Sequence, residues 1–266
     1  SFVMADIPGI IEGAIGEGKA PTSVPSAASC ALEEILRQGR EMIQWSSPKP
    51  QNGDWHIGRG VAIIMQKSGI PDIDQANCMI KLESDGTFIV HSGGADIGTG
   101  LDTVVTKLAA EVLHCPPQDV HVISGDTDHA LFDKGAYASS GTCFSGNAAR
   151  LAAENLREKI LFHGAQILGE PVADVQLATP GVVRGKKGEV SFGDIAHKGE
   201  TGTGFGSLVG TGSYITPDFA FPYGANFAEV AVNTRTGEIR LDKFYALLDC
   251  GTPVNPELAL GQIYGA

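Results

Sequence analysis

The chain has 266 residues, 42% of them hydrophobic and 19% charged, with a formal net charge of -12; that length can bury a substantial core as one large domain or two small ones. Such acidity disfavours nucleic acid and anionic membrane as partners. No apolar run in the chain approaches the roughly 18 residues needed to span a bilayer, and the opening SFVMADIPGIIEGAIGEGKAP lacks the basic start and long apolar stretch of a signal peptide.

Residues 1–28 carry Gly, Pro, Ala and Ser with little periodicity and read as an extended arm or linker. Residues 29–266 are then expected to form one domain, cut short at its C-terminal end. From Ser29 to Gln44, Leu32, Ile35, Leu36 and Ile43 recur at helical spacing. A polar loop at 46–55 leads to a strand at 60–66. Next comes a hairpin, CMIKLE and TFIVHS around Ser84-Asp85-Gly86, where the Asp-Gly pair supplies the positive φ of a tight turn. A helix is expected from about Thr99 to His114, with Leu101, Val104, Val105, Leu108, Val112 and Leu113 as its buried stripe. Cys115-Pro116-Pro117 stops it, because the residue before proline leaves the α region.

A short strand, VHVIS at 120–124, precedes a helix from about Ser145 to Leu168, with Leu151, Leu156, Ile160 and Leu161 inward and Gly169 as its stop. The stretch VVRGKKGEVSF reads as a polar hairpin, followed by a glycine-rich loop. Asn226–Val232 and Glu238–Leu248 form a second hairpin around Thr236-Gly237, and NPELALGQIYGA opens a proline-initiated helix. This order predicts an α+β fold, mixed sheets with helices packed on one face. No internal repeat is visible at fixed period.

The five cysteines (Cys30, Cys78, Cys115, Cys143, Cys250) are scattered without a CxxC, which fits reduced thiols in the cytoplasm better than a disulfide framework or a zinc site. The seven histidines show no pairing spacing for a metal. Glycine is the outlier, 35 of 266 residues against a usual ~7%.

Three loops carry the candidate chemistry. Gly93-Gly94-Ala95-Asp96-Ile97-Gly98-Thr99-Gly100 joins a strand to a helix, where backbone N–H groups and the helix dipole suit an anion. It has neither the dinucleotide GxGxxG spacing nor a Walker lysine, and a tight structural turn is the competing reading. Gly135-Ala136-Tyr137-Ala138-Ser139-Ser140-Gly141-Thr142 opens a helix; capping explains one or two hydroxyls, whereas three with interleaved glycine suit a phosphate or an oxygen-rich cofactor. In GDTDHALFD, Asp126, Asp128 and Asp133 lack the glycine and closing glutamate of a calcium loop, so a solvated acidic loop is expected. Glu170, in Gly-Glu-Pro, reads as part of a helix stop.

Taken in order, GGADIGTGLDT, GDTD, GAYASSGTCFSGNAARLAAENL and DCGTPVNPELALGQIYGA closely resemble the xanthine dehydrogenase and aldehyde oxidoreductase family, in the large subunit that holds molybdopterin. CALEEILRQGREMIQW followed by GRGVAIIMQKSGIP resembles the entry to that family's second molybdenum-binding domain. The likeness runs from about Cys30 to Ala266 and looks closest to bacterial xanthine or hypoxanthine oxidase-like proteins.

The resemblance implies an oxidoreductase, a molybdenum hydroxylase acting on purines or similar N-heterocycles, with an aldehyde- or nicotinate-type hydroxylase or a non-catalytic subunit scaffold as alternatives. It implies a molybdenum-molybdopterin cofactor in the cytosine dinucleotide form. Iron–sulfur clusters, and FAD where present, would sit on other domains or subunits, together with the remaining molybdenum domain. Carried over residue by residue, it points to Gly98, Thr99 and Gly100 as pterin contacts; many members carry glutamine where this chain has Thr99. Ala138, Ser139, Ser140, Gly141 and Thr142 would lie against the cofactor phosphates and the metal's oxygen ligands. A backbone N–H of Ala138 or its neighbour would stand beside molybdenum, and Gln262 would pair with the pterin. The family's glutamate base is expected beyond the last helix, so no catalytic residue is assigned in this chain, which is expected to be inactive alone.

Overall fold

A computed structural model of the chain describes residues 3–4, 30–49, 52–201, 204–216, 218 and 220–265. In chain order the elements are β1 (Val3–Met4), α1 (Leu32–Met42), β2 (Trp55–Met65), β3 (Ala76–Leu82), β4 (Phe88–Ser92), α2 (Leu101–Leu113), β5 (Val120–Ser124) and α3 (Gly141–Leu168). They continue with β6 (Gln176–Ala178), β7 (Val182–Arg184), β8 (Glu189–Ser191), α4 (Phe192–Glu200), β9 (Val209–Tyr214), β10 (Tyr223–Asn233), β11 (Ile239–Asp249) and α5 (Pro256–Gly265). The chain divides into two compact units, residues 1–68 with 218–266, and residues 69–217. Apart from Val3–Met4, which pair in parallel with Leu247 and Leu248, the arm expected at 1–28 lies outside the described residues.

In the first unit the strand order is β1-β11-β10-β2. Helix α1 lays Ile35 and Ile43 on Ala225, Phe227 and Leu247 of the sheet. Gly39, in mid-helix, has a packing reason: a Cβ there would lie 2.0 Å from Cε2 of Phe227, so only glycine lets the ring rest on the helix backbone. The β10–β11 hairpin turns where expected. Asn233 Oδ1 accepts the N–H groups of Arg235 and Thr236, both at 3.0 Å, and Gly237 has φ +76°.

Arg59, its side chain 4% exposed, holds the exit of α1. Its Nε donates to Glu229 Oε2 at 2.5 Å, and its Nη1 donates to the carbonyls of Gln44 at 2.5 Å and Ser47 at 2.9 Å. Lys243 Nζ stands 3.2 Å from the other Glu229 oxygen. Burial pushes the Glu229 carboxyl up, and the bonds and charges of Arg59 and Lys243 outweigh it, leaving the group below its ordinary value.

In the second unit the order is β5-β4-β3-β9, and α2 and α3 cover one face. The β3–β4 turn at Ser84-Asp85-Gly86 forms as its sequence predicts, with Gly86 at φ +90° and Asp85 Oδ1 accepting Thr87 N–H at 2.9 Å. β4 and β5 are parallel neighbours linked through α2, a βαβ crossover. Leu101, Val104, Val105, Leu108 and Leu113 of α2 are buried as expected, and Val112 is half-buried. The mixed-sheet α+β reading therefore holds.

Three segments differ from expectation. The glycine-rich stretch read as loop contains strand β9. A Cβ on Gly210 would meet the Ala152 carbonyl oxygen at 2.2 Å, and one on Gly212 would meet that of Ala148 at 2.3 Å. These glycines let α3, with Ala148, Ala149, Ala152 and Ala153 fully buried, lie directly on the strand. Helix α4 was not expected at all, although Ser191 N-caps it by accepting Asp194 N–H at 3.0 Å, the Ser-x-x-Asp signal of a helix start. Helix α3 also starts earlier than expected, at Gly141.

Candidate functional site

Two of the three chemistry-bearing loops interlock at one end of the second unit, where the parallel strands β4 and β5 present their carboxyl ends. In βαβ units that end is where ligands are held. Glycine permits the closest approach: a Cβ on Gly94 would lie 2.7 Å from Ser145 Oγ of α3 and 2.8 Å from Leu101 Cδ2, while one on Gly141 would be in ordinary contact, 3.6 Å from Leu101 Cδ1. A Cβ on Gly93 would lie 2.3 Å from the Leu131 carbonyl oxygen of the acidic loop. The starts of α2 and α3 are thus locked side by side.

Within the first loop Asp96 is the organiser. Its Oδ1 accepts Gly98 N–H at 2.9 Å and Gly100 N–H at 3.1 Å, and its Oδ2 accepts Asp102 N–H at 3.3 Å. Desolvation raises the Asp96 carboxyl, but donation from Gly98, Asp102, Gly100 and Thr99 more than offsets it, so the group lies below the usual carboxylate value. The donors that the sequence offered to an anion are therefore taken by the protein's own carboxylate. What the loop presents outward is the exposed stretch 95–99, with Ile97 at its tip 69% exposed beside Gly98 and Thr99. Gly98, at φ +99°, has no heavy atom within 4 Å of a Cβ position.

The second loop is held from behind. Asp133 accepts Gly135 N–H through Oδ1 and the Ser145 hydroxyl through Oδ2, each at 2.8 Å. Gly69 N–H donates to the Ala138 carbonyl at 2.7 Å. Tyr137 donates its hydroxyl to the buried Asp74, whose other oxygen accepts Ile70 N–H at 2.7 Å. That bond to Asp74 raises the Tyr137 phenol above its ordinary value. Ala138 and Ser139 both take left-handed φ, +53° and +56°, a conformation that costs a non-glycine residue stability and persists where surroundings impose it.

Ser140 is buried, and its hydroxyl donates inward to the Gly135 carbonyl at 2.8 Å, so it shapes the loop and does not cap α3. Ser139 and Thr142 are exposed, and Gly141 is the first residue of α3. Gln262 is exposed on α5, in the first unit.

Two buried side-chain atoms have no hydrogen-bond partner among the described residues, Nδ1 of His91 and Oδ1 of Asp102. Both belong to the elements that flank the first loop, β4 and α2. Spacing reasoning passed over them, since one is a strand histidine and the other the acidic residue at a helix start.

The remaining candidates are structural. Asp126 accepts Asp128 N–H at 2.9 Å and pairs with His129 Nδ1 at 2.8 Å. Among the described residues no cluster of His, Cys, Asp or Glu could hold a metal ion. Glu170 accepts the N–H groups of Lys186 and Lys187, at 2.9 and 2.7 Å, and so clamps the β7–β8 turn. The five cysteines are free thiols, Cys78 and Cys115 buried. Burial pushes both thiols up to about 12 and that of Cys143 up to about 11. No helix among the described residues is long and apolar enough to cross a membrane.

A family model described as "Molybdopterin cofactor-binding domain" matches residues 38–266. The chain is 99% identical over 256 residues to the Escherichia coli (strain K12) protein named "Probable hypoxanthine oxidase XdhD", a match that covers 96% of this chain and 27% of that protein. It is 31% identical over 270 residues to the "Xanthine dehydrogenase molybdenum-binding subunit" of Escherichia coli O157:H7, over 96% of this chain and 36% of that subunit. Among solved structures, quinoline 2-oxidoreductase from Pseudomonas putida 86 aligns with a TM-score of 0.71 at 25% identity, over 88% of this chain and 31% of that one. The chain thus spans about a quarter to just over a third of these proteins.

Proposed function

The chain belongs to the molybdopterin cofactor-binding domain family, within the xanthine dehydrogenase and aldehyde oxidoreductase group, and from that premise we propose that it is the cofactor-holding portion of a molybdenum hydroxylase that oxidises purines such as xanthine or hypoxanthine. The observation that carries this reading is the interlock of the two glycine loops at the carboxyl ends of β4 and β5. Near-identity over this stretch to a protein named as a hypoxanthine oxidase supports the purine class.

The described residues fit a pterin. The backbone at Gly98 faces open space, Thr99 next to it and Ser139 and Thr142 of the second loop are exposed, and two buried polar atoms lack a protein partner among the described residues. In this reading Gly98, Thr99 and Gly100 contact the pterin, and the Ala138–Thr142 loop lies against the phosphates and the metal's oxygen ligands. Ala138 offers its N–H beside the metal, and Gln262 pairs with the pterin. Thr99 replaces the glutamine of many relatives with a shorter hydroxyl.

When bound, the cofactor supplies the oxygen-transfer and redox chemistry; this chain's own part is to bind and orient it on preset loops. The cofactor is the cytosine dinucleotide form. The base, the remaining molybdenum domain, and the iron–sulfur clusters and FAD belong to further domains or subunits in the cytoplasm. Residues 29–266 act as one cofactor-binding domain preceded by a linker, and the stretch is inactive alone.

The test is metal analysis of the full-length native protein with release and identification of its pterin. About one molybdenum per subunit with a dinucleotide pterin is expected of a cofactor enzyme of this kind. No molybdenum, in cells that make the cofactor, overturns the reading.

A further inference from the structure

We propose that the outer edge of β2 is an interface, closed in the full-length protein by an added strand from the remainder of the same polypeptide. β2 is the last strand of its sheet. One side of its backbone pairs with β10 in unbroken register from Trp55 to Met65. The other side pairs with no strand among the described residues. Along Gly60-Val61-Ala62-Ile63-Ile64-Met65 every residue is exposed, and its four large side chains are between 43% and 59% exposed.

Successive side chains of a strand point to opposite faces, so this stretch is apolar and open on both. Val61 and Ile63 stand opposite Phe227 and Ala225, on the face that α1 packs, but the helix leaves them uncovered. Ala62 and Ile64 lie on the other face, opposite Asn226 and Gly224.

An open strand edge is a template for pairing, and proteins blunt such edges with charge, proline or a bulge. The opposite edge of this sheet is managed in that way. β11 carries the Arg240–Asp242 ion pair at 2.6 Å. Its register slips against β10, where Glu229 faces Lys243 and Val230 faces Leu241, so that Asp242 is the extra residue of a bulge. β1 covers its end at Leu247 and Leu248. From Gly60 to Met65 β2 has no charge, no proline and no slip of register. Such an edge is one that another element covers.

The occupant follows from chain length. This chain is 99% identical to a protein of which it covers 27%, so most of such a polypeptide lies outside it. A strand tethered in the same polypeptide meets the edge at an effective concentration that a separate molecule does not reach. Backbone pairing along β2 needs only an extended segment. What that segment covers sets its chemistry: alternate side chains meet Val61, Ile63 and Met65 on one face and Ala62 and Ile64 on the other. It is therefore apolar on both faces, a continuous hydrophobic run of the kind found in fully buried strands.

The experiment uses the full-length protein with the photo-cross-linker p-benzoylphenylalanine at Ile64 or at Met65. After irradiation, digestion and mass spectrometry, cross-links are expected within one polypeptide, to a segment outside these 266 residues. Cross-links only between copies of the protein, or only to residues of this stretch, overturn the assignment.

The wild-type full-length protein gives a second readout through residue-resolved hydrogen exchange. A strand paired on both sides loses fast exchange at every amide from Val61 to Met65, which is the expected result. Fast exchange at alternate amides, the pattern of a strand paired on one side only, overturns the assignment. Ile63→Lys is expected to lower the melting temperature of the full-length protein, because lysine suits an open edge and not a covered one. An unshifted melting temperature likewise overturns it.

Discussion

Asp133 reaches forward onto α3, where its Oδ2 accepts a hydrogen bond from the Ser145 hydroxyl at 2.8 Å. Its second oxygen holds Gly135 N–H, so one carboxylate ties the serine-rich loop to the helix that the loop opens. Asp133→Ala removes both bonds and should destabilise the fold by about 2 kcal/mol, in the range for hydrogen bonds to a charged group. Urea denaturation measures the change, and an unshifted midpoint would show that the tie contributes nothing.

Gly39 in α1 sits where helix propensity alone favours alanine by about 1 kcal/mol. The Phe227 ring, 2.0 Å from the would-be Cβ, reverses the sign. Gly39→Ala should destabilise by about 1–3 kcal/mol through overpacking, and adding Phe227→Leu should return part of that loss. If the single substitution stabilises the protein, the close approach is not a constraint.

The Glu229 carboxyl lies below its ordinary value of 4.5 in the fold because Arg59 and Lys243 outweigh its desolvation. A group depressed in this way contributes stability above its unfolded value, and that contribution is lost as pH falls through the folded value. Wild type should therefore exceed Glu229→Gln in stability at neutral pH, with the gap closing as pH drops below 4.5. Arg59→Met should be worse than Glu229→Gln at neutral pH, since it leaves a buried carboxylate without its main partner. A pH-independent gap in paired melts would contradict the linkage.

Gln262 is exposed on α5, so its replacement disturbs little packing. Gln262→Ala in the intact enzyme should shift folding stability by no more than about 0.5 kcal/mol, the usual range for surface positions, while lowering pterin occupancy. Unchanged molybdenum content in that variant would remove Gln262 from the proposed site.

Thiol labelling should separate the cysteines. Cys30 is exposed and should react first, whereas Cys78, Cys115 and Cys143 are held high by burial and should react slowly because the thiolate is the reactive form. Mass spectrometry of maleimide adducts before and after denaturation reads this order directly. Rapid labelling of Cys78 in the folded protein would contradict its burial.

Local rules were enough for much of this molecule. The stripe Leu101–Leu113, the Asp85-Gly86 and Thr236-Gly237 turns, the strand Val120–Ser124 and the stop at Gly169 are set by periodicity and turn chemistry within a few residues. The order of the glycine and hydroxyl loops likewise announced the family, because such loops are contiguous in the chain. Tertiary structure decided what contiguity cannot express. Glycines 210 and 212 belong to a strand because α3 presses on them, and glycine has no side chain from which to read that pressure. The N–H groups of Gly98 and Gly100 are filled because the loop folds Asp96 back onto them. The burial of Asp102 Oδ1, which has no donor among the described residues, is likewise a property of the packed unit and not of its neighbours in sequence.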